Sequence, residues 1–340
     1  MTNNDPTNLP TIAVVGAASV DITIREAPDW MGLTARDAYT ADSLHSLEAP
    51  VEMGLGGNGG AAAYVLGKLG LPVELYASIG ADAPGQLVLS WLKQADVSYM
   101  ETKPVDSTMV AITAVDGQGQ RLGCVQHLGA QVDWSVPASH TQASWLLVMV
   151  HAQVTVDELQ ALRQTIQQFR QSGCTTVLDS GIGWIVDRVE PQQMHALWSH
   201  TNVVTGTLDE LSHWTARDDP KSIARAVLDH GAQQVIIKMG ADGAAYQSGV
   251  EAFTHQKAVL VRHANLSIGA GDAFAGALVA ALAIGEPLSV AVSNAQRLAA
   301  QVVEAGRGVL GWCDPSDLAS EKYAGSPIDC VDGCQPEDRS

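Results

Sequence analysis

The stretches 145-WLLVMV-150, 155-TVDELQALRQTIQQFR-170 and 174-CTTVLD-179 decide the fold class. The outer two are short, mostly apolar runs, while in the middle one apolar residues recur at helical spacing within a polar segment. Strand, helix, strand is the reading, and it repeats outward through 202-NVVTG-206, 221-KSIARAVLDHG-231 and 234-QVIIKMG-240. The early run 11-TIAVVGA-17 belongs to the same sheet. Apolar strands joined by crossover helices predict an α/β fold with a doubly wound, mostly parallel sheet flanked by helices. Ligands then sit at the carboxyl ends of the strands.

Two regions break this alternation: 20–52, and 108-TMVAITAVDGQGQRLGCVQH-127, where alternating residues flank the turn 116-DGQG-119. The second predicts a β-hairpin. Together they predict a small discontinuous β lid, 20–52 and 108–127, over a core of 11–19, 53–107 and 128–318. The segments 1–10 and 319–340, rich in Asn, Asp, Pro and Ser, read as flexible tails. An exposed lid surface invites pairing with a second copy, so a homodimer through the lid is expected.

Composition narrows the function. With 340 residues, 46% of them hydrophobic, the chain can bury a sizeable core. Nineteen Lys and Arg stand against 37 Asp and Glu, a net charge of −18 that repels nucleic acid and anionic membranes. A polyphosphate ligand must then be held locally, by backbone N–H groups, a few cations and a metal ion. No basic-flanked leader or 18-residue apolar run occurs, and the five cysteines (Cys124, Cys174, Cys313, Cys330, Cys334) are odd in number. These features predict a soluble protein of a reducing, cytoplasmic compartment. The spacing of Cys330 and Cys334 does not fit a zinc knuckle.

The chemistry concentrates in 269-GAGDAFAGALVAAL-282. Glycines before an apolar helix leave its first N–H groups bare, which makes an anion site. Asp272 there either complements the helix dipole or acts as a base on a substrate hydroxyl, while the N–H groups of Gly269, Ala270 and Gly271 hold the transferred phosphoryl group. A second glycine-rich helix start, 56-GGNGGAAAYVLGKLG-70, is open to a ligand or to close helix packing. Neither cluster carries the Gly-Lys-Ser/Thr ending of a phosphate loop or the dinucleotide fingerprint.

On these stretches the chain resembles the ribokinase-like, or PfkB, carbohydrate kinases over about residues 11–315. The run 269-GAGDAFAGAL-278 is similar to that family's C-terminal signature, which implies Asp272 as catalytic base and Gly269, Ala270 and Gly271 as the anion hole. The run 56-GGNGGAAAYVLGKLG-70 looks like its sugar-binding signature, and 16-GAASVD-21 like the first-strand segment; substrate contacts are thereby implied for Asp21, Gly56, Gly57 and Asn58. The turn 79-IGADAPG-85 and the lid hairpin match as well. The nucleotide-side hairpin 238-KMGADGAAY-246 implies cofactor contacts at Lys238, Gly240 and Gly243, and Asn294 occupies the place of an Asn near the adenine. The motif that organises magnesium waters aligns with 207-TLDE-210, keeping Glu210, with Asp209 as a substitute and Thr207 in place of Asn.

Other departures are Ala61 where the family has Asn, which shifts a sugar contact to Asn58, and Leu266, Ser267 and Ile268 in place of Asp-Thr-Thr, which weakens the case for a monovalent-cation site. The resemblance implies an ATP- and Mg2+-dependent kinase that phosphorylates a hydroxyl of a small sugar or nucleoside. A binding protein that lost the chemistry and, more remotely, a nicotinamide oxidoreductase are the other classes. A nucleoside would need an apolar slot, with Trp30 or Met31 as its lining; a sugar phosphate would need Arg25, Arg36 or Arg121. His127, His151 and Cys124 read as structural, and Lys238 equally as a solvated strand end.

Overall fold

The structure, a computed structural model, describes residues 9–26, 51–102, 104–117, 121–129, 132–150, 154–181, 189–261 and 266–312. Trp30, Met31, Arg36, His151, Cys313, Cys330, Cys334, most of both expected tails and part of the 116–119 turn lie outside the described residues.

The large sheet contains β1 (Ile12–Val15), β4 (Val73–Ala77), β5 (Val97–Glu101), β8 (Trp145–Met149), β9 (Thr175–Asp179), β10 (Val203–Thr207), β11 (Gln234–Lys238), β12 (Ala244–Ser248) and β13 (Thr254–Gln256). Their order is β13-β12-β11-β10-β9-β8-β1-β4-β5. All neighbours from β11 to β5 pair in parallel, and only the edge pairs β11–β12 and β12–β13 are antiparallel. The mostly parallel α/β architecture read from the sequence is therefore present.

Alternate residues of one strand enter opposite cores. Ile12 and Val14 pack with α1 (Asn58–Lys68), α2 (Ala83–Gln94), α7 (Ala270–Ala283) and α8 (Leu288–Ala305). Ala13 and Val15 pack with α3 (Val156–Gln171), α4 (Pro191–Trp198), α5 (Leu208–Thr215) and α6 (Pro220–Asp229). Burial on both faces explains why these strands read as unbroken apolar runs, each large side chain contributing about 1.5–3 kcal/mol. Thr155 opens α3 with a capping box to Glu158, and Asp82 caps α2 by accepting from Gly85 N at 2.9 Å.

The small sheet contains β2 (Ser19–Ile24), β3 (Val51–Gly56), β6 (Met109–Val115) and β7 (Arg121–His127), ordered β3-β2-β6-β7. The described parts of 20–52 and 108–127 thus meet in one sheet, through parallel pairing of β2 with β6; β3 runs on through Gly56, into the segment read as core, and residues 27–50 of the expected lid lie outside the described residues. Period-two alternation divides its faces. Asp21 lies beside Ala111, and Thr113 beside Cys124, toward the large sheet; Ile22, Met53, Ile112 and Val125 share the other face, where Met53 and Val125 are exposed. No helix among the described residues is long and apolar enough to cross a membrane.

Candidate active site

A cavity of about 320 Å3 lies at the carboxyl ends of the parallel strands. The large sheet supplies Met149 from β8, Asp179 from β9, Thr207 from β10 and Lys238 from β11; the small sheet roofs it with Asp21, Thr113, Arg121 and Gln126. The glycine-opened starts of α1 and α7 contribute Gly57, Asn58, Gly271 and Asp272.

At the start of α7, Ala270 N donates to the Ser267 carbonyl at 3.2 Å, and Gly269 adopts φ +81°, the left-handed position such a turn reserves for glycine. Ala273 N closes the first helical bond to Gly269 O at 2.9 Å. The N–H groups of Gly271 and Asp272 have no partner among the described residues. The turn itself uses the Ala270 N–H, whereas the Gly269 N–H, like those of Gly271 and Asp272, has no backbone partner among the described residues.

Asp272 stands in the cavity wall on the first turn of α7. Burial drives its carboxyl up from 3.8 to about 7; Lys238 opposes the rise, and the Asp179, Asp21 and Glu210 carboxylates add to it. Lys238 Nζ contacts Asp179 Oδ2 at 2.6 Å, both side chains nearly buried. Burial alone would lower the Lys238 pKa, but Asp179, Glu210 and Asp272 hold it above its usual value, so the ammonium stays charged. A Cβ added to Gly271 would lie 3.8 Å from that ammonium, so the lysine stands over the open end of α7.

Asp21 accepts from Ser19 Oγ at 2.9 Å. Burial raises its carboxyl, against the Ser19 hydrogen bond and the charge of Arg121. A Cβ at Gly56 would fall 1.8 Å from Asp21 Oδ1, so glycine there makes room for the carboxylate. Asn58 behaves differently from a free sugar ligand: its Oδ1 accepts from Ala17 N at 3.3 Å and Gly59 N at 2.8 Å, and its Nδ2 donates to Val150 O at 2.9 Å. One amide hydrogen is left for a ligand.

Glu210 lines the cavity while its Oε2 accepts from Thr207 N at 2.6 Å, and Thr207 Oγ1 accepts from Glu210 N at 3.2 Å. The Thr at 207 thus completes a capping box for α5. Asp209 is exposed and outside the cavity lining. Gly240 and Gly243 shape the β11–β12 hairpin with φ of +57° and +96°, also outside the lining. Asn294 sits on α8 with its Nδ2 buried and unpartnered among the described residues.

The residue that sequence reasoning missed is Asp179. Its signal was present, a carboxylate ending the apolar run 174-CTTVLD-179 at the ligand-binding end of a parallel strand.

A mostly parallel sheet covered by helices on both faces, a roofed cavity and a carboxyl with its pKa raised to about 7 beside open helix N–H groups suit a phosphotransferase type of site. The chain belongs to the pfkB family of carbohydrate kinases, whose model matches residues 11–310, and it is accordingly an enzyme of the phosphotransferase class. It is 26% identical over 294 residues to a ribokinase of Mus musculus, covering 82% of this chain and 84% of that protein. A fructokinase of Rhizobium leguminosarum bv. trifolii is 24% identical over 235 residues, 65% of this chain and 69% of that one. Among solved structures, the ribokinase of Arabidopsis thaliana complexed with ribose and ATP shares the fold at a TM-score of 0.72 and 19% identity, covering 92% of this chain and 98% of that one. The ribokinase of Thermotoga maritima does so at 0.71 and 19%, with the same coverage of 92% and 98%.

Proposed function

We propose that this protein transfers the γ-phosphoryl group of ATP to a hydroxyl of a small free sugar, with Asp272 as general base. The observation that carries the reading is the Asp272 carboxylate, pushed to about 7 in the cavity wall at the open start of α7. A base is most effective when its pKa lies near the working pH. Asp272 takes the proton of the attacking hydroxyl while the Gly271 and Asp272 N–H groups and Lys238 face the charge that develops on the phosphoryl oxygens.

Asp21, with Thr113, Gln126 and the remaining amide hydrogen of Asn58, orients the sugar hydroxyls. The cavity lining among the described residues contains these polar groups, which suit the hydroxyls of a sugar. Ribokinase and fructokinase as relatives point the same way.

The residues fit a nucleotide: Lys238 stays charged, the orphaned Asn294 amide on α8 offers a donor, and Gly240 and Gly243 of the β11–β12 hairpin would be its further contacts. No cluster of three or more metal-binding side chains occurs among the described residues, so Mg2+ would arrive on the phosphates, its waters received by Glu210, and would supply charge neutralisation. The small sheet acts as the lid, and its apolar outer face, with Met53 and Val125 exposed, carries a homodimer contact. Cys124 and Cys174 are free thiols, in keeping with a cytoplasmic setting.

A panel of free sugars, nucleosides and sugar phosphates read by coupled ADP release tests the assignment. A free sugar should be turned over, and Asp272→Asn should lower kcat by about 10²–10⁴ while ATP still binds. A near-wild-type rate for Asp272→Asn removes the base, and a monomeric mass by light scattering on the same preparation removes the dimer.

A further inference from the structure

We infer that Arg25 is a positioning residue for phosphoryl transfer, tying the small sheet to the loop that backs the Ile268–Gly269 turn. Arg25 follows directly on β2, and its Nη2 donates both to Glu52 Oε2 on β3, at 3.0 Å, and to the carbonyl of Gly306. Gly306 closes α8 in the left-handed conformation, φ +66°, and α8 has no basic residue in its own last turn. The negative end of that helix is therefore met by a cation supplied from the other sheet.

The loop after Gly306 reaches the catalytic turn. A Cβ added to Gly269 would stand 3.5 Å from Gly308 Cα and from Val309 N, and one added to Gly308 would stand 3.9 Å from the Ile268 carbonyl oxygen. On its other side the loop faces the small sheet, since a Cβ at Gly54 would lie 3.8 Å from the Arg307 carbonyl. Val309 anchors the loop in the core. A hollow of about 220 Å3 runs between Thr23 and Glu52 of the small sheet and Ile268, Gly269, Arg307 and Gly308, with Asp272 also in its wall. Glu52, held by Arg25, forms one edge of that hollow, which shares Asp21, Ile268 and Asp272 with the larger cavity. Arg25 thus acts through Gly306–Val309 on the turn that presents Gly271 and Asp272, and it lines neither the hollow nor the larger cavity itself. The inference rests on the proposed role of that turn in receiving the phosphoryl group.

Both Arg25 contacts use one nitrogen, so a lysine ammonium can reproduce them, whereas a neutral amide cannot supply the charge. Steady-state kinetics of the full chain with the acceptor found above provides the test. Arg25→Ala and Arg25→Gln should lose about tenfold in kcat with the KM for ATP unchanged, the size expected for one charge-assisted contact, while Arg25→Lys stays within about threefold of wild type. Millimolar guanidinium should restore Arg25→Ala and leave Asp272→Asn inactive. Wild-type turnover by Arg25→Ala overturns the inference. So does a loss that Arg25→Lys shares, that guanidinium does not restore, and that follows a lowered Tm. A wild-type rate for Asp272→Asn instead sinks the parent reading of the turn.

Discussion

Two helices of this protein begin alike and end up with different work. Both α1 and α7 open on a glycine with positive φ, Gly57 at 71° and Gly269 at 81°, and neither has a side-chain cap. They pack closely, since a Cβ at Gly276 of α7 would lie 2.9 Å from the Ala62 carbonyl of α1. The difference lies in the first polar side chain. Asn58 commits its carbonyl oxygen and one amide hydrogen to three backbone groups. Asp272 has no hydrogen-bond partner among the described residues and is left with burial and neighbouring charge. The same glycine signal therefore builds a joint at one helix and a buried carboxyl with a raised pKa at the other.

The strongest way to break this comparison is stability against pH. A carboxyl raised from 3.8 in the unfolded chain to about 7 in the folded one favours the folded state fully below pH 4, and that contribution is lost as pH rises through 7. The loss amounts to at most about 4 kcal/mol. Asp272→Asn removes the ionisation. It should be more stable than wild type at pH 8 by up to about 4 kcal/mol, less whatever the coupled carboxylates already relieve, and the gain should shrink toward zero near pH 4. Denaturant unfolding at the two pH values measures it; a difference that does not change with pH would show that Asp272 is not perturbed.

Asn58→Ala should have the opposite sign. It leaves Ala17 N, Gly59 N and Val150 O without their partner, a cost of about 2–3 kcal/mol at all pH values. Should the variant keep wild-type stability while its sugar KM rises strongly, Asn58 belongs with the ligand contacts and the contrast with Asp272 dissolves.

These contrasts also mark what the sequence could disclose. The central strands were legible because burial on both faces keeps them largely apolar, with Thr and Asp179 as the polar exceptions in β9 and β10, and α3 because its apolar residues recur at helical spacing. The Asp272 helix start was legible because turn, glycine and carboxylate lie within four consecutive positions, 269–272. The roles of Asn58, Asp179 and Arg25 were not, because their partners are distant in the chain. Asn58 meets Val150 at a separation of 92 residues, Asp179 meets Lys238 at 59, and Arg25 meets Gly306 at 281. Asp179 reaches Lys238 only because β9, β10 and β11 lie side by side in parallel register, a property of the assembled sheet. The bond of the Ala270 N–H to Ser267 was hidden for a smaller reason: a turn with glycine in the left-handed position closes with its own N–H···O bond, which the glycine pattern alone does not show.

The finest comparison is between two capping boxes, Thr155 with Glu158 on α3 and Thr207 with Glu210 on α5. Glu158 accepts from Thr155 N at 2.7 Å on the exposed surface, whereas Glu210 accepts from Thr207 N at 2.6 Å at the edge of the cavity. Glutamine serves in the same box, so Glu158→Gln and Glu210→Gln should each stay within about 0.5 kcal/mol of wild-type stability. Only the second removes a charge facing the phosphoryl site. Acting through the ion's water shell, in a dielectric close to that of water, one charge makes a difference of roughly 1 kcal/mol, so Glu210→Gln should raise the Mg2+ concentration for half-maximal activity about three- to tenfold, with Glu158→Gln unchanged. If both variants titrate alike, Glu210 is only a cap. Asp179 then becomes the next residue to test, ahead of Asp209, because Asp179 lines the cavity and Asp209 is exposed outside it.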